Sequence, residues 1–293
     1  MTDHSIILIG GPDSGKTNYL ARLWEALRAR EGVLQAPAVP TQIKYVEDAL
    51  AHLLRGKFAP RSEKTLEEGQ HFAVPVVSSA NSDAARFEII VPDVSGELWK
   101  KAVETCELPK QWMDDLASAS GALLFVRVGS DQNVAPLDWV TAARLLRMEG
   151  APAEKENTEK HETPTQVSLC ELLRFMEHGL GTANSEVRPR VAVLVTAWDR
   201  LDHETAAAGP TAYLTVEYPL FAGRIADISR FDVRVFGVSV VGGDFAEEAF
   251  KQQFFSQGIK CAGYVVEETQ GQLETKRDLT LPVAWVVRAT ADQ

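Results

Sequence analysis

Short apolar runs, separated by stretches with helical spacing, dominate the hydrophobic pattern of the chain. Between most of these runs, apolar side chains recur every three or four residues, which predicts amphipathic helices. The clearest examples are Leu20, Leu23, Trp24 and Leu27, followed later by Leu169, Leu172, Leu173 and Met176. The runs themselves are rich in Val, Ile, Leu or Phe and predict six strands, at Ser5 to Gly10, 71–79, 86–92, 121–128, 190–196 and 232–239. Strands that alternate with helices predict an α/β fold whose mostly parallel sheet is covered on both faces, giving three layers.

Three segments are predicted as additions to this core, within a single domain that spans 1–293. The segment near 31–70 contains a helical pattern and then a charged loop; the pattern is formed by Ile43, Val46, Leu50, Leu53 and Leu54. The segment near 129–167 begins with a predicted short helix from Asp138 to Met148. Its polar tract, 149–166, has almost no large apolar residues and predicts a loop. The third addition, about 245–278, has mixed polarity from which no element is predicted.

The charge balance and the cysteines limit the partners and the compartment. Thirty Lys and Arg residues against 41 Asp and Glu give a net charge of −11. Such a field repels a phosphate backbone, so nucleic acid is not expected as a partner. Cys106, Cys170 and Cys261 are far apart and odd in number, which predicts reduced core residues rather than a disulfide framework or a zinc site. Neither a signal peptide nor a membrane span of ~20 apolar residues is expected, which indicates a cytoplasmic protein.

The strongest chemical signal is a glycine-rich turn between the first predicted strand and the first predicted helix. Residues 10–17 read G-G-P-D-S-G-K-T and match G-x-x-x-x-G-K-[ST] in the structural context that the motif requires. Backbone N–H groups and the helix N-terminus are predicted to hold phosphates. The predicted phosphate-binding residues are Gly10, Pro12, Asp13, Ser14, Gly15, Lys16 and Thr17. Lys16 would reach the β- and γ-phosphates and act in catalysis, and the Thr17 hydroxyl would bind Mg²⁺. A glycine turn before a helix with an exposed lysine is the alternative.

A second motif, D-x-x-G, follows the third predicted strand at residues 93–96. Asp93 can hold Mg²⁺ through water. Gly96 can offer its backbone N–H to a γ-phosphate because no side chain blocks the approach. The preceding strand, more than the short pattern itself, makes these two residues candidates for the site.

The fifth predicted strand runs into T-A-W-D at 196–199, which resembles the [NT]-K-x-D base-recognition motif of the Ras-like GTPase superfamily. The resemblance implies a P-loop NTPase fold of the Ras-like type, with Thr196 and Asp199 at the nucleotide base. A carboxylate accepts from both N1–H and the exocyclic amine of guanine, a donor pair that adenine lacks, so GTP is expected rather than ATP. Ala197 stands where the family has a lysine. A helix N-cap is the alternative for Asp199.

Other residues enter as candidates through the same resemblance. Ser239 follows the last predicted strand, where the family places a serine-containing loop beside guanine, and a plain strand end is the alternative. The family uses a switch-loop threonine as a Mg²⁺ ligand; Thr65 is the predicted residue and Thr41 the competitor. Glu97 stands where the family has a glutamine that orients the attacking water. Arg61 is a candidate for a positive charge at the transition state, with an exposed loop arginine as the alternative.

Within this superfamily, the chain resembles the double-GTPase domains, bacterial GTPases predicted to act beside a second GTPase in conflict or defence gene clusters. The T-A-W-D form, the insertions and the ending D-L-T-L-P-V-A-W at 278–285 carry the resemblance. It implies a protein partner: a second GTPase, an activator or an effector. Three functions stay open: a regulatory GTPase with weak, partner-stimulated hydrolysis, a nucleotide-binding interaction module without hydrolysis, and a P-loop ATPase.

Overall fold

A mixed β-sheet forms the centre of the computed structural model, which describes residues 2–40, 43–60, 71–78, 87–92, 96–136, 163–183 and 187–288. Within these ranges the sheet has nine strands, in the order β2-β3-β4-β1-β5-β6-β7-β8-β9. The strands are β1 (Thr2–Ile9), β2 (Leu34–Gln35), β3 (His71–Ser78), β4 (Phe87–Pro92), β5 (Gly121–Arg127), β6 (Arg190–Thr196), β7 (Asp232–Ser239), β8 (Tyr264–Thr269) and β9 (Gln272–Lys276).

Ten α-helices accompany the sheet in the described ranges. They are α1 (Lys16–Ala29), α2 (Lys44–Leu54), α3 (Gly96–Thr105), α4 (Lys110–Ser118), α5 (Thr165–Gly179), α6 (His203–Ala208), α7 (Pro210–Glu217), α8 (Pro219–Asp227), α9 (Glu248–Gln257) and α10 (Leu281–Val286). Short 3₁₀ turns lie at Trp198–Arg200 and Ile259–Cys261.

The sequence predicted six strands in a mostly parallel sheet, and the structure corrects both statements. The five central strands, β4-β1-β5-β6-β7, are parallel. At one edge β3 pairs antiparallel with β4 and with β2, and at the other edge β8 pairs antiparallel with β7 and with β9. The β8–β9 hairpin turns at Gln270 and Gly271, which both have positive φ, as a type I′ turn requires. Because nearly all side chains of β9 are exposed, this strand had no apolar alternation to reveal it.

The predicted three-layer arrangement is confirmed, since alternate side chains of the central strands pack on opposite faces. Ile6 and Leu8 of β1 belong to the core under α1, α2, α9 and α10. Ile7 and Ile9 belong to the core under α3, α4, α5, α7 and α8. The apolar positions that predicted α1 and α5 are all buried. Burial on both faces explains why the central strands read as continuous apolar runs.

The insertion near 31–70 contains the predicted helix, α2, which packs against α1. Val46, Leu50 and Leu53 are buried, whereas Leu54 is 48% exposed and does not belong to the apolar face. The helix predicted from Asp138 to Met148 lies outside the described residues. Residues 149–162 of the predicted loop 149–166 also lie outside the described residues. The last two residues of that predicted loop belong to α5.

The prediction that the cysteines are core residues was wrong. All three are free thiols, but Cys106 and Cys261 are exposed and Cys170 is half-buried. Cys106 directly follows α3 and Cys261 ends a 3₁₀ turn. These two cysteines therefore lie on the surface at the ends of secondary-structure elements. Within the described ranges, no helix is both long enough and apolar enough to span a membrane.

The segment after β9 is joined to α1 and β2 by polar contacts. Asp278 accepts hydrogen bonds from the N–H of Val33 at 2.7 Å and of Thr280 at 2.8 Å. The buried Tyr19 hydroxyl of α1 donates to the carbonyl of Leu279 at 3.0 Å. Burial, and then the charge of Asp278, raise the pKa of the Tyr19 phenol above its usual range. All six residues of α10 are buried, so the last helix of the described chain is part of the core.

Candidate functional site

The glycine-rich turn joins β1 to α1 at the carboxyl end of the parallel strands, where open α/β sheets bind ligands. Gly15, immediately before α1, has φ 94°, a left-handed conformation that favours glycine. A side chain there would also meet the hydroxyl of Thr196 at 3.1 Å. Asp13, also in the turn, has a left-handed conformation as well, with φ 60°. The turn therefore has the tight backbone that phosphate binding requires.

The Lys16 ammonium lies against this turn. Its Nζ donates to the carbonyls of Gly10 at 2.7 Å and Gly11 at 2.9 Å, and to the Ser14 hydroxyl at 3.1 Å. Lys16 is half-buried, which does not fit the alternative of an exposed lysine. A cation held against the phosphate-binding loop can neutralise phosphate oxygens that bind there.

The Thr17 hydroxyl, the predicted Mg²⁺ ligand at the start of α1, lies 2.9 Å from the hydroxyl of Tyr45 in α2. The next residue, Asn18, accepts a hydrogen bond from the N–H of Ala59 at 2.9 Å. The segment that contains α2 therefore reaches the side of the turn where the predicted Mg²⁺ ligand lies. No motif marks Tyr45, so it was not among the residues predicted from the sequence. An alcohol oxygen at this position fits a hard cation such as Mg²⁺, which prefers oxygen ligands.

Gly96, the last residue of the D-x-x-G motif, lies against the glycine-rich turn. It is the first residue of α3, and a β-carbon placed on it would lie 2.5 Å from the carbonyl carbon and oxygen of Gly11 and would also clash with the nitrogen of Pro12. The start of α3 is thus packed directly against the loop. Glu97 follows and is exposed. The other predictions on this side, Asp93, Thr65, Thr41 and Arg61, lie outside the described residues.

The end of β6 is tied to the turn through Thr196. Its buried hydroxyl donates to the carbonyl of Ser14 at 2.8 Å. Thr196 therefore supports the phosphate-binding loop from β6, two strands away from β1 in the sheet, a contact that the sequence did not predict. Asp199 lies close by in the 3₁₀ turn after β6 and is half-buried. The alternative N-cap role fails for Asp199, because Asp202 caps the following helix.

Two aromatic residues lie near Asp199. Trp198 is only 2% exposed, and its ring covers Gly237, where a β-carbon would lie 2.6 Å from the indole. Tyr264 of β8 lies near enough for the charge of Asp199 to act on its phenol. Burial, and then the charge of Asp199, raise the pKa of the Tyr264 phenol. Tyr264 was not predicted from the sequence, because the mixed polarity of 245–278 predicts no element there.

Ser239 ends β7 and pairs in register with Tyr264 of β8. Its hydroxyl is fully buried and accepts a hydrogen bond from the N–H of Gly242 at 2.8 Å. Ser239 therefore shapes the turn after β7, beside the strand end that carries Asp199. A direct contact of Ser239 with a base stays a prediction.

Arg127, at the end of β5, is a further residue that the sequence analysis missed. Its guanidinium forms an ion pair with the carboxylate of Asp13 and donates to the Asp13 carbonyl at 3.2 Å. The Ser130 hydroxyl donates to the other carboxylate oxygen at 3.3 Å. A strand-end arginine has no sequence signature, because its partner is 114 positions away.

The sequence matches the model of a known protein family, Double-GTPase 1, over residues 7–286. The chain belongs to the Double-GTPase 1 family. Membership confirms the Ras-like resemblance and supports the binding of a guanine nucleotide. No curated protein matches this Double-GTPase 1 member.

Solved structures of two GTPases resemble this Double-GTPase 1 member at a distance. A bacterial selenocysteine-specific elongation factor, EF-Sec, has 14% identity and a TM-score of 0.34, covering 88% of this chain and 29% of the factor. The signal recognition particle receptor complex SRb-GTP/SRX from Chaetomium thermophilum has 15% identity and a TM-score of 0.36, covering 86% of this chain and 98% of the other. The chain thus spans less than a third of the elongation factor. Neither similarity is close enough to say more about this chain.

Proposed function

We propose that this chain is a regulatory GTP-binding protein that hydrolyses GTP slowly and acts as a nucleotide-dependent switch. One observation carries the proposal: Gly96 of the D-x-x-G motif is packed against the turn at Gly11 and Pro12. This contact joins residues more than 80 positions apart in sequence and supports a role in which the Gly96 N–H would approach the terminal phosphate of a nucleotide bound to the turn. Phosphate binding and the start of α3 are in this way parts of one site.

The preference for GTP is proposed on the position of Asp199. The neighbouring Thr196 holds the phosphate-binding turn through the carbonyl of Ser14, so the T-A-W-D segment and the phosphates would belong to the same site. A half-buried carboxylate there can pair with the two guanine donors and with no equivalent pair on adenine. Membership in Double-GTPase 1 supports the same choice.

Metal binding is proposed at the start of α1. Thr17 would hold Mg²⁺ together with Asp93 and Thr65, and the ion would supply positive charge to the β- and γ-phosphates. Lys16 would contribute the second cation, since its ammonium already lies against the turn. These residues bind and neutralise a triphosphate, which is the larger part of phosphoryl-transfer catalysis.

Slow hydrolysis is proposed because Glu97 replaces the usual water-positioning glutamine. Glu97 follows Gly96 in the first turn of α3, and its side chain is exposed. A carboxylate near a γ-phosphate meets like charge, which weakens its use as a base. Arg61, or an arginine supplied by a partner, would raise the rate. The proposed partner is a second GTPase, an activator or an effector, in a bacterial conflict or defence system.

The test of nucleotide choice is competition by GTP and by ATP for a fluorescent GDP analogue bound to the purified chain. We expect GTP, and not ATP, to displace the probe. Asp199→Asn should weaken GTP binding by roughly 100-fold, because it breaks charge-assisted hydrogen bonds. Asp227→Asn, an exposed carboxylate at the end of α8, is the matched control. Equal displacement by ATP would favour the ATPase alternative, and no probe binding would refute the proposal.

A nucleotide-binding module without hydrolysis is the second candidate function, and the presence of Glu97 favours it. Single-turnover release of phosphate from bound GTP separates the two functions. We expect slow release that Glu97→Gln accelerates, because glutamine carries no charge and can both donate to and accept from water. A chain that keeps GTP intact, with Glu97 or with glutamine, would be a binding module.

A further inference from the structure

The carboxylate of Asp13 is an unfavourable group to find in a phosphate-binding turn. Asp13 is one of the four residues between the two glycines of the motif and sits in a left-handed conformation. Its side chain is 28% exposed, so solvent screens its charge only in part. A bare carboxylate at this position would repel each phosphate that the turn binds.

Arg127 neutralises this carboxylate and also holds the backbone of the same residue. Its guanidinium forms the ion pair with the Asp13 carboxylate, and Nη1 donates to the Asp13 carbonyl at 3.2 Å. Ser130 supports the arrangement with a hydrogen bond of 3.3 Å to the second carboxylate oxygen. The carboxylate and the backbone carbonyl of Asp13 are therefore both held by residues of β5 and of the loop after it.

β5 lies between β1, which leads into the phosphate-binding turn, and β6, which leads into the T-A-W-D segment. Arg127, at the end of β5, therefore lies between these two parts of the proposed nucleotide site. β5 pairs with β1 on one side and with β6 on the other, and Arg127 lies opposite Thr196. The T-A-W-D segment that begins at Thr196 contains no basic residue. Arg127 brings a positive charge from β5 to this point of the site, and Arg200, which follows the segment, donates to the carbonyl of Gly129 at 3.5 Å.

We propose that Arg127 is a positioning residue of the nucleotide site, which cancels the charge of Asp13 and fixes the turn so that a nucleoside diphosphate or triphosphate can bind. This inference rests on the proposed function. Because the repulsion grows with the charge of the ligand, a triphosphate depends on Arg127 more strongly than a diphosphate does.

The test measures the affinities of fluorescent GDP and GTP analogues for four proteins: wild type, Arg127→Gln, Asp13→Asn and the double variant. Arg127→Gln should weaken GTP binding by roughly 10- to 30-fold and GDP binding by less, since it leaves an unpaired carboxylate near the phosphates. The double variant should recover to within about threefold of wild type, because both charges are gone.

Asp13→Asn gives an independent answer, because it leaves the positive charge of Arg127 beside the phosphates. Charge neutralisation predicts that this variant binds GTP about three- to tenfold more tightly than wild type. If the ion pair only held the turn in shape, Asp13→Asn would instead bind GTP more weakly than wild type, because the turn would lose its support. This comparison remains decisive if thermal unfolding shows that Arg127→Gln does not fold.

The matched control is Arg224→Gln. Arg224 of α8 forms an ion pair with Glu177 near the C-terminal end of α5, and the two side chains are 32% and 22% exposed. The start of α5, not this end, lies near the phosphate-binding turn. The control should bind both nucleotides like wild type.

Three results would overturn the inference while leaving the proposed function intact: wild-type GTP affinity in Arg127→Gln, a double variant as weak as Arg127→Gln, or weaker GTP binding by Asp13→Asn than by wild type. Failure of the wild-type chain to bind either nucleotide would overturn the proposed function, and the inference with it.

Discussion

Alanine at position 96 would place a methyl group against the phosphate-binding turn. The added carbon would lie 2.5 Å from the carbonyl carbon and oxygen of Gly11, roughly 1 Å short of an ordinary van der Waals contact. Both opposing atoms belong to the backbone, so no side chain can rotate away. Either the turn or the start of α3 must move.

The expected cost follows from this overlap. Forcing a methyl group into a packed site costs about 1–3 kcal/mol of stability, which lowers the Tm of a chain of this size by several degrees. The movement also takes the Gly96 N–H away from the terminal phosphate. A hydrogen bond to a charged group contributes about 1.5–3 kcal/mol, so GTP affinity should fall roughly 10- to 100-fold, while GDP affinity changes much less.

Thermal unfolding without nucleotide and calorimetric titration with GTP and GDP measure the two effects separately. Gly223→Ala is the matched control, since this glycine lies inside α8 with open space where the methyl group would go. Alanine in a helix interior should stabilise the control by about 0.5–1 kcal/mol. If Gly96→Ala melts at the wild-type temperature and keeps the wild-type GTP affinity, the packing argument is wrong.

Three further substitutions test contacts around α1. Tyr45→Phe removes the hydroxyl partner of Thr17 and should cost about 0.5–1.5 kcal/mol in urea unfolding; an unchanged midpoint would show that the hydroxyl pair adds nothing to stability. Asp278→Asn weakens the acceptor of the Val33 N–H and should cost about 1–3 kcal/mol, and a variant as stable as wild type would contradict the anchoring role of this segment. Tyr19 has a folded pKa raised by burial, so its contribution to stability is complete below the unfolded pKa of about 10 and is lost as the pH rises above it. Tyr19→Phe should therefore show a smaller fall in unfolding free energy than wild type between pH 9 and pH 11, and parallel pH curves for the two proteins would refute this linkage.

Local sequence patterns were sufficient for the central strands and for the turn. Each central strand is an apolar run, because helices cover both of its faces. The turn is recognisable because its glycines and Lys16 meet local requirements of backbone conformation and charge. Gly15 has positive φ, and the Lys16 ammonium bonds to the same turn.

The edges of the sheet could not be predicted in the same way. β2 has two residues, and nearly all side chains of β9 are exposed. Neither strand has the apolar periodicity on which sequence prediction depends. They form strands because an adjacent strand supplies partners for their backbone hydrogen bonds. Their own residues give no sign of this pairing.

The sequence by itself determined a P-loop α/β fold and the motifs at the ends of β1, β4 and β6, because both depend on patterns within a few positions. Only the tertiary structure decided which strand ends meet. It placed Arg127 on Asp13, Tyr45 on Thr17 and Tyr264 beside Asp199. Strand order and register set these contacts, and they are properties of the whole sheet rather than of any segment.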